Sequence, residues 1–147
     1  MRIVCVIPSR YESSRFPGKP LADLCGKPMI QHVYERVLRA KTVTEAAVAT
    51  DDRRIFAAVE KFGGRAIMTA DRHRSGTDRI AEAAAALNLE ENDIVVNIQG
   101  DQPIFEPAQV DEVVEPLLAD ASIPMSTLIY RIVREEEIAH PNAVKTV

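Results

Sequence analysis

The run Ile3-Val4-Cys5-Val6-Ile7, stopped at once by Pro8, constrains this chain more than any other stretch. Four of its five residues are β-branched, which stiffens χ1 and favours extended backbone. Apolar side chains at every position, rather than every second one, fit a strand covered on both faces. Such a strand lies inside a parallel sheet, and parallel neighbours need crossover connections, usually helices. The rest of the sequence should therefore alternate helices with strands.

It does. Pro28 suits a first helical turn, and Ile30, Val33, Val37 and Leu38 follow at helical spacing to about Ala40. Residues 46–50 read as a strand, after which Asp51 or Asp52 caps a helix through Ile55 and Val59 that stops at Gly63-Gly64. Residues 65–68 read as a weaker strand, 79–87 as an alanine-rich helix with Ile80, Ala83, Ala84 and Leu87 inward, and 94–98 as a fourth strand. Pro107 opens a helix carrying Val110, Val113, Val114, Leu117 and Leu118, and 125–132 read as one more strand. These lengths predict an α/β fold of three layers, α/β/α, around a right-handed, mostly parallel, Rossmann-like sheet. A turn at His140-Pro141-Asn142 then leads into 143–147, which read as a strand that the chain end interrupts. No linker, repeat or low-complexity segment divides residues 1–147, so one domain is expected.

With 147 residues, 46% of them hydrophobic, the chain can enclose a core. Its formal net charge of −4 argues against a general nucleic-acid or membrane binder, so any anion site must be local. Cys5 and Cys25 make neither a disulfide framework nor a zinc site, and the opening apolar run is too short for an export signal or a membrane span. A reducing, cytoplasmic location is the expectation.

Ligands of an open parallel sheet sit at the carboxyl ends of its strands, so the loops after Ile7, Thr50, Met68 and Ile98 matter most. The first, residues 8–20, sets Arg10, Arg15 and Lys19 against Glu12 alone. Turn N–H groups and cationic side chains can together replace the hydration shell of a polyphosphate, and Gly18 permits close approach. A solvated basic loop would carry the same charges. Pro17 and Pro20 brace this one at a strand end, which favours an anion site with Arg10 and Lys19 foremost. Neither G-x-x-x-x-G-K-S/T nor G-x-G-x-x-G is present, which removes the main support for P-loop and dinucleotide readings.

In Asn97-Ile98-Gln99-Gly100-Asp101-Gln102-Pro103, a buried strand runs into a glycine and an acid. Asp101 there is either the ligand of a hard divalent cation that bridges phosphates, the favoured reading, or the cap of the turn before Pro103. In His73-Arg74-Ser75-Gly76-Thr77-Asp78-Arg79, Ser75 or Thr77 is a helix N-cap, and the same small-residue turn can present backbone groups to a nucleobase. His32, His73 and His140 match no metal or catalytic spacing, and no serine or cysteine has the setting of a nucleophile.

Four segments in this order, IPSRYESSRFPGKPL, HRSGTDR, NIQGDQP and HPNAVKTV, resemble the 3-deoxy-manno-octulosonate cytidylyltransferases, or CMP-Kdo synthetases, over essentially the whole chain. Arg10, Ser13, Arg15, Pro17, Gly18 and Lys19 match the opening shared by sugar nucleotidyltransferases in general, and the later segments narrow it to the Kdo enzymes. Ser9 stands where alanine is frequent in that family, and Gln102 where glutamate is. The resemblance implies the nucleotide-diphospho-sugar transferase type of fold and the reaction of CTP with Kdo to give CMP-Kdo and pyrophosphate, for lipopolysaccharide synthesis. It implies Arg10, Lys19 and Asp101 as catalytic residues and Mg²⁺ on Asp101. It implies Pro8, Ser9, Arg10, Arg15, Lys19, Arg74, Ser75, Gly76, Arg79, Gln99 and Asp101 as nucleotide contacts, with Ser75, Gly76 and Gln99 at the cytidine and Arg74 and Arg79 as helpers.

Members of that family continue well beyond the position of Val147. The chain is therefore expected to be the CTP-binding part of one truncated domain, which binds CTP with little or no turnover by itself and is a homodimer when full length. Two alternatives stand beside this reading: a nucleotidyltransferase for a related acidic sugar such as an amino-Kdo analogue, and a non-catalytic nucleotide-binding fragment.

Overall fold

In chain order the elements are β1 (Ile3–Ser9), a one-turn 3₁₀ helix (Lys19–Leu21), β2 (Asp23–Leu24), β3 (Lys27–Pro28), α1 (Met29–Val37), β4 (Glu45–Thr50), α2 (Arg53–Lys61), β5 (Ala66–Met68), α3 (Gly76–Ala86), β6 (Ile94–Asn97), α4 (Pro107–Ala119) and α5 (Glu135–Ala139). The computed structural model describes residues 1–12, 16–141 and 145. All seven positions of β1 are buried. It pairs in parallel with β4 on one side and β6 on the other, and β5 extends the sheet beyond β4. The order β5-β4-β1-β6 makes the first apolar run an inner strand, as its unbroken hydrophobicity requires.

The two faces of β1 separate by residue parity. Ile3, Cys5 and Ile7 pack with Ala46 and Val48 of β4 against α1, α2 and α4, through Ile30, Val33, Val37, Ile55, Val59, Val110 and Val114. Val4 and Val6 pack with Ala47 and Ala49 against α3, through Ile80, Ala83 and Leu87. The β1–β4 register, Cys5 beside Ala46 and Ile7 beside Val48, keeps each set on its own face. Right-handed crossovers account for the layers. Steps from β1 to β4 to β5 put α1 and α2 on one face, and the step back across β1 to β6 puts α3 on the other.

Local signals fix the helix ends. Asp52 caps α2 by accepting the N–H groups of Arg54 (2.8 Å) and Ile55 (3.4 Å). Ser75, one of the two expected caps, caps α3 through the Asp78 N–H, so this helix begins three residues before residue 79, where the apolar stripe alone would start it. A reciprocal capping box of Glu106 and Gln109, with Pro107 in the first turn, starts α4.

The strand expected at 125–132 does not form. Those residues lie outside any sheet, with Met125 79%, Ile129 71% and Tyr130 78% exposed. An alternating or apolar stretch becomes a strand only when a neighbour takes up its N–H and C=O groups, and none of the described residues does so here. Of the strand expected at 143–147, all but Lys145 lies outside the described residues. Among the described residues no helix is long and apolar enough to cross a membrane.

Candidate active site

The chain passes from β5 to β6 by crossing β1, so the strand order reverses between β1 and β6. At such a reversal, the connections leaving two adjacent strand ends diverge and leave a crevice between them. A cleft lies there. Pro8, Ser9 and Arg10 line it from the end of β1, Gln99, Gly100 and Asp101 from the end of β6, Glu12, Lys19 and Pro20 from the opening loop, and Gly76 from the start of α3.

Residue sizes set this geometry. Gly100 is buried, and a Cβ there would overlap Ser9 Oγ and lie 3.1 Å from the Pro8 carbonyl oxygen. Only glycine lets the two strand ends approach this closely. Ser9 is 3% exposed, and its Oγ has no hydrogen-bond partner among the described residues, so an unused hydroxyl sits at the cleft floor. Gly18 has φ 74, its N–H donates to the Tyr11 carbonyl (2.7 Å), and its Cα faces the Tyr11 ring. That contact closes the opening loop at its base and leads Lys19 into the cleft. The Arg54 guanidinium, 3.2 Å from the centroid of Tyr11 and paired with Asp52, stacks over the ring.

The cleft's charges are arranged in two ways. Lys19 Nζ donates to Asp101 Oδ2 at 2.8 Å, with the side chains 35% and 52% exposed. A pair this exposed is weakly held, so both groups are open to a ligand. Arg10 donates from Nη2 to the His73 carbonyl, and a guanidinium has further N–H groups that can face an anion. Among the described residues no three His, Cys, Asp or Glu side chains cluster as a metal site. The exposed carboxylate of Asp101, in a cleft that Arg10, Lys19 and Glu12 also line, is a fitting donor for Mg²⁺, which takes one or two protein carboxylates and fills its shell with phosphate oxygens and water.

Of the residues the sequence singled out, Pro8, Ser9, Arg10, Lys19, Gly76, Gln99 and Asp101 come together at this cleft. Arg15 lies outside the described residues. Ser75 and Arg74 are exposed and do not line the cleft, and Ser75 is occupied as the α3 cap. Arg79 does not reach it: its side chain is fully buried, paired with Asp51 and donating to Thr69 Oγ1. The helper role expected of Arg79 is thus replaced by a buried link between α3 and the end of β4. Glu12 and Pro20 line the cleft without having been singled out in the sequence, whereas Gly100, the glycine that directly follows a buried strand, stands where that strand end meets the cleft.

The family described as cytidylyltransferase matches residues 4–147. A 3-deoxy-manno-octulosonate cytidylyltransferase of Syntrophus aciditrophicus (strain SB) is 76% identical over 146 residues, which cover 99% of this chain and 59% of that protein. Its counterpart in Desulfatibacillum aliphaticivorans is 57% identical over 147 residues, 100% of this chain and 60% of that protein. The chain thus spans about three-fifths of the length of these relatives. Among solved structures, a CMP:2-keto-3-deoxy-manno-octonic acid synthetase complexed with CTP is 50% identical, with a TM-score of 0.79 over 84% of this chain and 50% of that one. A nucleotidyl transferase from Methanothermobacter, 22% identical with a TM-score of 0.65, shares the fold, which is that of the nucleotide-diphospho-sugar transferases. A cleft at the sheet's reversal point, lined by Arg10, Lys19 and Asp101, and a family match spanning residues 4–147 lead to one conclusion: the chain belongs to the cytidylyltransferase family.

Proposed function

We propose that this chain is the CTP-binding part of an enzyme that joins CTP to Kdo, releasing pyrophosphate and forming CMP-Kdo for lipopolysaccharide synthesis. The observation that carries the reading is the convergence of Arg10, Lys19 and Asp101, from two different loops, on one cleft beside a glycine-lined floor. The names of the relatives at 76% and 57% identity and of the CTP-bound structure support the choice of nucleotide and sugar. In the reaction a sugar hydroxyl oxygen bonds to the α-phosphorus and gives up its proton to water as the bond from that phosphorus to the β-phosphate bridging oxygen breaks, and the electron pair of that bond leaves with pyrophosphate. No protein nucleophile is needed, and alignment and charge stabilisation supply the catalysis.

Arg10 and Lys19 hold the triphosphate and offset the charge that grows on the departing pyrophosphate. Asp101 is the residue that would hold Mg²⁺, and the ion, when bound, supplies further neutralisation of the phosphate oxygens. Gln99 and Gly76 line the base end, where Gln99 Nε2 already donates to Asn97 Oδ1 at 3.1 Å, and Ser75 acts there only by capping α3. The reading includes a homodimeric full-length protein in the cytoplasm, consistent with two free cysteines.

Calorimetric titration of the chain with CTP and Mg²⁺ tests it, alongside a pyrophosphate-release assay with Kdo. The expected result is CTP binding whose metal dependence collapses in Asp101→Asn, with little or no release from residues 1–147 alone. Binding that ignores Mg²⁺ in both proteins would leave a nucleotide-binding fragment without the proposed metal chemistry. Robust release would overturn the view that the sugar-handling residues lie elsewhere.

A further inference from the structure

Arg10 is a long side chain at an exposed position, yet its tip rests on one main-chain oxygen, the carbonyl of His73. That oxygen belongs to the loop between β5 and α3, which has no strand or helix of its own to keep it still. What holds it is α3. Both carboxylate oxygens of Glu82 accept the Ala70 N–H, at 3.2 and 3.0 Å, and Oε2 also meets Nε2 of the His73 ring. An ionised carboxylate can only accept, so Nε2 carries the proton in this contact. One turn earlier, Arg79 grips Thr69 Oγ1 and reaches the Ala70 carbonyl at 3.5 Å.

We infer that Glu82 is a positioning residue for phosphate binding: by fixing Ala70 and His73 it sets the carbonyl that orients Arg10 toward the cleft. A flexible guanidinium already aligned by a fixed acceptor loses less freedom when it takes up a phosphate. Glu82 itself does not line the cleft, and its contacts are the Ala70 N–H and the His73 ring, neither of them proposed to contact nucleotide. The His73 ring, with the Ala70 N–H, also holds the Glu82 carboxyl below the usual carboxylate range, as a persistent contact should. The charged neighbour Arg72 acts in the same direction. The inference rests on the reading of Arg10 as a triphosphate contact.

The test is a double-mutant cycle on the 147-residue chain, titrated with CTP and with CMP in the presence of Mg²⁺. Glu82→Ala weakens CTP binding about three- to tenfold and leaves CMP, which lacks the outer phosphates, within about twofold. Glu82→Gln, which keeps one acceptor oxygen, recovers part of the loss. In an Arg10→Ala background the Glu82→Ala change has no further effect. Equal losses for CTP and CMP, or an undiminished loss in the Arg10→Ala background, would overturn the inference and leave Glu82 a purely structural residue. If Glu82→Ala fails to fold, the same cycle is run with Glu82→Gln. Nitrogen-15 NMR of the Arg10 side chain reads the link without nucleotide: restricted guanidinium rotation in the parent chain, and averaged signals in the Glu82 variants. Restricted rotation in a chain that binds no CTP would sink the nucleotide reading and keep the link. Identical, freely averaged signals in parent and variants would sink the link whatever the chain binds.

Discussion

Removing Asp51 separates the two roles open to Arg79, part of the fold or part of the nucleotide site. The Arg79 side chain is 0% exposed and that of Asp51 20%, and the two are joined by an Nη2 to Oδ2 ion pair. Thr69 Oγ1 takes a second N–H, while Nε has no partner among the described residues. Asp51→Ala leaves a buried cation without its counter-charge, a change that costs about 3–5 kcal/mol in general. The partial exposure of Asp51 and the surviving Thr69 contact put this case at the lower end, about 3 kcal/mol. A domain of this size loses roughly 2–4 °C of Tm per kcal/mol, so Tm falls by about 6–12 °C. Adding Arg79→Met removes the stranded charge and recovers most of the loss, because apolar replacement of a whole buried pair is near neutral or better. Circular dichroism melts of the parent, both single variants and the double variant read this directly. An Asp51→Ala protein that melts within about 2 °C of the parent would refute the argument. So would a double variant that melts lower than Asp51→Ala. An Arg79→Met protein of parental stability that has lost CTP affinity would return Arg79 to the nucleotide site.

Two further outcomes test the core and the cleft floor. Gly100→Ala forces a Cβ into Ser9 Oγ and toward the Pro8 carbonyl oxygen, lowering stability by about 1–3 kcal/mol. Ser9→Ala added to it recovers much of that, and equal melting of Gly100→Ala with and without Ser9→Ala counts against the packing argument. Burial pushes the Cys5 thiol up to about 12, whereas Cys25 is exposed. Native labelling with a thiol reagent therefore modifies Cys25 alone. With the folded value raised, the stabilisation from keeping Cys5 neutral is complete below its unfolded value of about 8.5 and is lost as pH climbs toward about 12. Equal labelling rates for the two thiols, or stability unchanged across that alkaline range, would show the strand to be less enclosed.

The sheet was readable because burial on both faces leaves a mark that depends on few other residues. Ile3 to Ile7 and Ala46 to Ala49 are apolar at every position, and both runs lie in the two inner strands of the sheet. Helices α2, α3 and α4 likewise announce themselves by caps and stripes that lie within a dozen residues of one another. The stretch 125–132 carries a similar apolar content and yet is no strand. A strand is a relation between two segments, and sequence pattern supplies only one of them. The fourth strand's place beside β1, rather than beside β5, is also a pairing fact, and it is this neighbour choice that creates the cleft.

The same distinction divides the site. Arg10, Lys19, Gln99 and Asp101 were legible because each follows a strand or sits in a strand-end loop, and a parallel sheet sends all such loops to one edge. What escaped were couplings across distance: Asp51 with Arg79, Glu82 with Ala70 and His73, and Ser9 with Gly100. In the sequence Arg10 and Arg79 are equivalent, each a cation in a polar segment near a strand end or helix start. Enclosure tells them apart. Arg79 has spent its guanidinium on Asp51 and Thr69 with no exposed surface, so a ligand would first have to break a buried ion pair. Arg10 donates to the His73 carbonyl while it lines the cleft at an exposed position, so the bond that orients it leaves its charge available.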